Sequence, residues 1–424
     1  MTEDLETNDL HLGFVALTDC AVMVAAQEKG FFHRQGLRVH LSREPSWANI
    51  RDKVALGLLD GAQMLAPMPL AMQLGVDGGQ EGEPQPMVTA LTLDLNGNAI
   101  TLSKELFVKL QAMNPRVGSD PLVAATTIGE KAKQRAARGE RPLTFAVVAP
   151  FSTHGYELRY WLALGGVHPD RDVRIVVVPP VYMCDALSSG DIDGFCVGEP
   201  WNQEAVALGI GRVVVTKYDL WNNAQEKVFA VTRSWADKHP RTHQALLRAL
   251  LEAAAWSDRT ENRFELASLV ASPAYVNAPL DVVRMSMLGR YRYDENEGLL
   301  AFDDFHVFHR YAANFPWRSH AVWFLTQMVR WGQLPETVDF HATARAVYQP
   351  QLYREAADAV GMYYPTTDWK IEGIHPTSWP LYQATHPITM GPDMFLDGKI
   401  FDAMDPQTYL ESMAVHSRAK PLAP

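Results

Sequence analysis

Short apolar runs alternate with amphipathic stretches from His11 to Thr232. The run His11-Leu-Gly-Phe-Val-Ala-Leu17 predicts a first strand, and Thr18 and Asp19 supply an N-cap signal for a helix over 21–29. Strands at 37–41 and 62–65 follow, with a helix at 50–58 and an Asp60-Gly61 turn between them. Further strands are predicted at 87–93 and 99–102, around an Asn96-Gly97 turn of the hairpin kind. Helices at 103–110 and 129–141 lead to strands at 144–148, 173–178, 195–197, 212–216 and 229–232, with helices at 154–164 and 183–188 among them. This alternation predicts α/β layers with largely parallel sheets. The order strand–helix–strand–helix–turn–strand occurs at 12–65 and again at 144–197, each time with an Asp-Gly turn after the second helix. Two similar lobes imply a cleft between them, a usual ligand position.

Beyond Trp235 the pattern becomes helical and aromatic. A long amphipathic helix is predicted at 242–256 and shorter ones at 263–270, 280–288, 317–331, 342–348 and 352–360, with Pro350 separating the last two. The tail 420–424 is expected to fray. The chain therefore divides into a first part of lobe I at 9–104, lobe II at 105–228, and a return to lobe I at 229–419. That last segment carries a helical, aromatic-rich C-terminal extension packed on the first lobe.

Trp47 lies in the loop before the helix at 50–58, where unpaired backbone N–H groups face outward. An aromatic plate beside a helix N-terminus suits a small flat anion. Composition sharpens this picture. Hydrophobic content of 47% over 424 residues supports a large core, and a net charge of −11 without any basic stripe argues against nucleic acid. The anion must then be held by local groups against the overall field, which salt screens within about 8–10 Å. Cys20, Cys184 and Cys196 have no metal spacing and read as core. The acidic start Met1-Thr-Glu-Asp-Leu-Glu lacks a secretory pattern, which leads to the expectation of a cytoplasmic protein. No phosphate loop, nucleophile elbow or metal-ligand spacing occurs, so no catalytic residue, metal or cofactor is expected. Asp191 and Asp193 read as solvated turn residues. Gly198 and Glu199, in Val197-Gly-Glu-Pro-Trp-Asn202, follow a strand at its C-terminal end and are expected to line the cleft or form its hinge.

Several segments resemble the nitrate/bicarbonate-binding proteins of ABC uptake systems. They are Leu12-Gly-Phe-Val-Ala-Leu-Thr-Asp-Cys-Ala21, Glu28-Lys-Gly-Phe-Phe32, Ser42-Arg-Glu-Pro-Ser-Trp-Ala-Asn-Ile-Arg-Asp-Lys53, Met64-Leu-Ala-Pro-Met-Pro69, Arg159-Tyr-Trp-Leu-Ala163 and Phe195-Cys-Val-Gly-Glu-Pro-Trp-Asn202. The resemblance implies a two-lobed periplasmic-binding-protein-like fold of the second type (type II), with the anion in the cleft and no chemistry performed. Combined with the absent secretory pattern, it points to the cytoplasmic NasS-type nitrate/nitrite sensors, which sequester a NasT-type RNA-binding antiterminator and release it when anion binds. The alternative is the solute-binding protein of a nitrate or bicarbonate ABC uptake system. A third reading is an enzyme on the same fold that makes a thiamine pyrimidine precursor, which would need a histidine-rich cofactor pocket.

The family's ligand positions fall on Trp47, Asn98, His154, Pro180 (after Pro179) and Lys227. Asn98 departs from the glutamine of the uptake proteins and is shorter. Nitrate is flat, monovalent and weakly hydrated. It calls for a few N–H donors, an apolar face and about one positive charge. The Trp47 indole N–H, the helix start at His154 and the Lys227 ammonium could supply these. Relatives that bind bicarbonate with calcium need an extra acidic group in the pocket, so a lysine there favours nitrate or nitrite without a metal.

Overall fold

A computed structural model describes residues 4–77 and 83–417. The tail expected to fray at 420–424, the end of the segment 229–419 and the first three residues of the acidic start lie outside the described residues.

Ten strands build two five-stranded sheets: β1 (Asp9–Val15), β2 (Arg38–Glu44), β3 (Gly61–Leu65), β4 (Met87–Thr92), β5 (Asn98–Ser103), β6 (Thr144–Val147), β7 (Arg174–Val177), β8 (Gly194–Gly198), β9 (Gly211–Thr216) and β10 (Lys227–Thr232). The first sheet has the order β2-β1-β3-β10-β4 and the second β7-β6-β8-β5-β9. In each, three parallel strands are followed by one antiparallel strand, and the fifth strand, antiparallel to that one, again runs with the first three. The two lobes thus share one topology, as the repeated order of elements predicts. Strands β3 and β8 are buried along their whole length, which is why they are apolar apart from Gln63, whose side chain is hydrogen-bonded.

The repeated Asp-Gly turns do the same work in both lobes. Asp60 and His11 exchange two hydrogen bonds, backbone N–H to carbonyl at 2.8 Å and His11 N–H to the Asp60 carboxylate at 2.8 Å. Asp193 and Thr144 repeat the pair at 2.7 Å each. Asp193 is therefore not a merely solvated turn residue; it fastens the start of β6. The glycine that follows lets an antiparallel neighbour approach. A Cβ at Gly194 would sit 2.8 Å from the Thr101 carbonyl oxygen.

Three expectations change. Residues 87–93 and 99–102 do not form a hairpin. Strand β4 belongs to the first sheet and β5 to the second, so the chain crosses between lobes at 93–97 and lobe II begins at Asn98, not after 104. Asn96 and Gly97 adopt left-handed φ of 63° and 88° at this crossing, and a Cβ at Gly97 would lie 2.5 Å from the His306 ring. The return crossing ends at Glu226, because Lys227 already pairs with Leu65 of β3. The helix expected over 129–141 is α3 below and starts eight residues earlier, at Pro121, capped by the Asp120 carboxylate.

Six helices matter for the site: α1 (Ala21–Glu28), α2 (Trp47–Ala55), α3 (Pro121–Ala137), α4 (Thr153–Leu164), α5 (Pro240–Ser257) and α6 (Arg318–Arg330). Trp47 is the first residue of α2 rather than a loop residue, with the Ser46 hydroxyl accepting from the Asn49 N–H. The extension packs on the first lobe through α5 against α1, and the Tyr348 hydroxyl donates to the Ala66 carbonyl at 3.1 Å. It also grips the second lobe. The Tyr156 hydroxyl donates to Gln333 at 2.8 Å, and Trp221 stacks on Phe395 at 4.7 Å beside Trp323.

Candidate functional site: a buried ion cluster between the lobes

The return crossing delivers Lys227 to the start of β10, fully buried where the two lobes meet. Its backbone N–H donates to the Asp94 carboxylate at 3.0 Å. Its ammonium lies 2.7 Å from Asp19 Oδ2 and 2.6 Å from Glu226 Oε1, and 5.5 Å above the Trp47 ring. Asp19 also accepts from the Gln63 amide, whose own carbonyl oxygen accepts from the Val15 N–H. These groups all come from the first lobe.

The second lobe meets them at Glu226. Its carboxylate accepts from Asn98 Nδ2 at 2.9 Å, Thr153 Oγ1 at 2.5 Å and the Lys217 ammonium at 2.5 Å. Asn98 opens β5 opposite Gly198 of β8, and Thr153 and His154 open α4 behind the Ser152 cap. His154 Nε2 lies 3.4 Å from Glu226 Oε1. Lys217 in turn holds Glu157 at 2.7 Å.

Burial drives the electrostatics. It pulls the Lys227 ammonium down, but the carboxylates of Asp19 and Glu226 more than reverse this, so Lys227 is held charged. Burial pushes Glu226 up, and Lys217 and Lys227 override it, keeping the carboxylate well below its usual range. Asp19, Asp94 and Glu157 are raised by burial. Burial lowers His154 to about 3, so the ring is neutral near pH 7 and offers one N–H and one lone pair.

Among the described residues, Trp47 Nε1 and both His154 nitrogens have no hydrogen-bond partner, although both side chains are buried. Buried donors are normally satisfied, so the Trp47 indole N–H and the single N–H of the neutral His154 ring are free to meet an acceptor-rich molecule. The cluster can bind a small oxyanion.

Of the residues that resemblance implied, the structure gathers Asn98, His154 and Lys227 around Glu226 and sets Trp47 against Lys227. Pro180 stands apart, lining an outer cleft of about 440 Å³ with Val15, Ala16, Glu44 and Trp201. Gly198 and Glu199 lie at the lobe junction: the Glu199 carbonyl accepts from the Thr18 N–H at 2.7 Å, and its carboxylate accepts from the Tyr291 hydroxyl at 2.5 Å. Two readings are corrected. Asp19 is not a helix cap, since Cys20 takes that position and the Asp19 carboxylate is spent on Lys227 and Gln63. The expectation of about one positive charge without an acidic group also fails, because two lysines and several carboxyl groups share the site. Glu226, Lys217, Glu157 and Thr153 escaped sequence reading. Only Glu226 left a signal, as the sequence neighbour of Lys227 in Glu226-Lys-Val-Phe-Ala230.

The NMT1-like family matches residues 3–271. The chain belongs to that family. Within it, the chain is 37% identical over 413 residues to the nitrate import ATP-binding protein NrtC of Synechocystis sp., which covers 97% of this chain and 56% of that protein, so the chain spans about half of that relative's length. It is 32% identical over 420 residues to the nitrate/nitrite binding protein NrtA of the same organism, covering 97% of this chain and 86% of that protein. The crystal structure of periplasmic nitrate-binding NrtA from Synechocystis superposes with a TM-score of 0.83 at 30% identity, covering 97% of this chain and all of that one. The chain thus has the α/β two-lobed fold of the nitrate-binding protein NrtA.

Proposed function

We propose that this protein binds a planar monoanion, nitrate or nitrite, in the buried cluster between its lobes, and performs no chemistry on it. The observation that carries this reading is the pair of unpartnered buried groups, the Trp47 indole N–H and the His154 ring, beside the charged Lys227. Similarity to NrtA supports nitrate or nitrite as the anion. Anion binding favours the closed arrangement of the lobes because it contacts residues of both. The role best supported is that of the solute-binding component of an ABC-type nitrate system, with bicarbonate as the competing ligand.

A second reading is a cytoplasmic sensor that releases a NasT-type antiterminator when nitrate or nitrite binds. Pull-down of cytosolic partners with and without nitrate separates the two. A nitrate-released RNA-binding partner supports the sensor; its absence in both conditions leaves the carrier.

The binding site is tested by Trp47→Phe, which removes the indole N–H and keeps an aromatic ring over Lys227. Calorimetry is expected to show nitrate affinity falling by about tenfold or more in a variant that still melts cooperatively. Unchanged affinity would remove Trp47 from the site.

A further inference from the structure

Glu226 is one carboxylate too many for the lysines around it. Lys227 already has Asp19 at 2.7 Å, and Lys217 already has Glu157 at 2.7 Å. The two ammonium groups therefore contact three carboxylates, while a fourth carboxyl group, Asp94, accepts the Lys227 backbone N–H instead; of the three, Glu226 lies where all the donors converge. Glu226 accepts from Lys217, Lys227, Asn98 and Thr153, with His154 Nε2 at 3.4 Å. Donors from both lobes thus share one planar, singly charged group. Nitrate and nitrite are also planar, singly charged and rich in acceptor oxygens. Three of the donors on Glu226 or beside it, Asn98, His154 and Lys227, are the ones assigned above to the anion.

We infer that the Glu226 carboxylate is an internal stand-in for the ligand: it competes with the bound oxyanion for Lys227, Asn98 and His154, and so sets both the affinity and the preference for monoanions. Lys217 and Thr153, on the second-lobe side, retain Glu226 when the anion takes the others. A second negative charge against this buried carboxylate is repelled, and a dianion is repelled about twice as strongly. The site accordingly admits one charge and disfavours sulfate. An ordinary structural ion pair makes the opposite prediction, because removing it would loosen the lysines and weaken binding.

This inference rests on the anion-binding reading above, and the experiment separates the two. Nitrate, nitrite, bicarbonate and sulfate are titrated calorimetrically into the full chain, Glu226→Gln and Glu226→Asp. Asp retains the charge but withdraws it by about 1.5 Å, one carbon–carbon bond. The expected result is nitrate binding tightened about tenfold or more in Glu226→Gln and more modestly in Glu226→Asp, with sulfate binding gained in Glu226→Gln. Unchanged or weaker nitrate binding in a cooperatively melting variant overturns the inference. If Glu226→Gln fails to fold, the Asp variant decides by the same sign. If the unaltered protein binds none of these anions, the anion reading fails. The inference then survives only if Glu226→Gln binds nitrate or sulfate, and it falls if that variant binds neither.

Discussion

Lys227 shows why single side chains in this site have two jobs. It is the proposed ligand donor by position and a structural cation by environment, since Asp19 and Glu226 pair with it. Lys227→Met is expected to destabilise the fold by about 3–5 kcal/mol, because it leaves buried carboxylates without their partner. Denaturant unfolding of the variant checks this, and a loss near zero would mean the carboxylates take up protons at little cost. Binding lost in such a variant therefore cannot be assigned to the anion contact without the unfolding curve. At this scale the sequence was partly legible. Trp47, Asn98, His154 and Lys227 were singled out by the family resemblance, and the structure brings them to one junction. The carboxyl groups were not legible. Asp19 mimics a helix cap, and a glutamate in an anion site contradicts the charge rule one would apply. What makes Glu226 tolerable is a shell of donors drawn from residues 98, 153, 217 and 227, a proximity that no local pattern encodes.

At the scale of elements, the twin Asp-Gly turns set how closely antiparallel strands approach. Gly194→Ala is expected to cost about 1–3 kcal/mol, since its Cβ would meet the Thr101 carbonyl oxygen and backbone cannot easily move aside. Thermal or denaturant melts measure it, and a neutral result would show β5 free to shift. The lobe junction gives a pH prediction. Burial raises the Glu199 carboxyl from 4.5 to about 7, so the folded state holds its proton more tightly than the unfolded chain. The resulting stabilisation is full below about pH 4.5 and is lost as pH rises through about 7, on the order of 3 kcal/mol in all. Glu199→Gln should flatten the stability profile between about pH 5 and 8; an unaltered slope would assign that dependence elsewhere. Helices were legible because caps and amphipathic spacing are local. The pairing of β4 and β5 was not, because their partners, β10 and β8, lie more than ninety residues further along the chain. An Asn-Gly turn reads the same whether it closes a hairpin or turns the chain from one lobe into the other.

For the whole molecule, the repeated order of elements was enough to foresee two lobes of one topology, and the resemblance to nitrate-binding proteins supplied the rest of the fold. The crossing points were off by a few residues, since each crossing runs straight into a strand of the next sheet with no linker composition to mark it. The C-terminal segment was expected on the first lobe alone. Its hold on the second, through Gln333 on Tyr156 and Phe395 on Trp221, depends on aromatic packing between residues far apart in sequence.

That double hold has a consequence for time rather than for affinity. Two lobes joined only by their crossings can flap open freely, and a small ion then enters and leaves on each swing. Here a third body is fastened to both, so opening wide enough to free a buried ion requires slipping an aromatic stack and breaking hydrogen bonds at once. Exchange is then governed by rare openings of the whole assembly. Uptake and release of the proposed anion would then be slow, whatever its level outside.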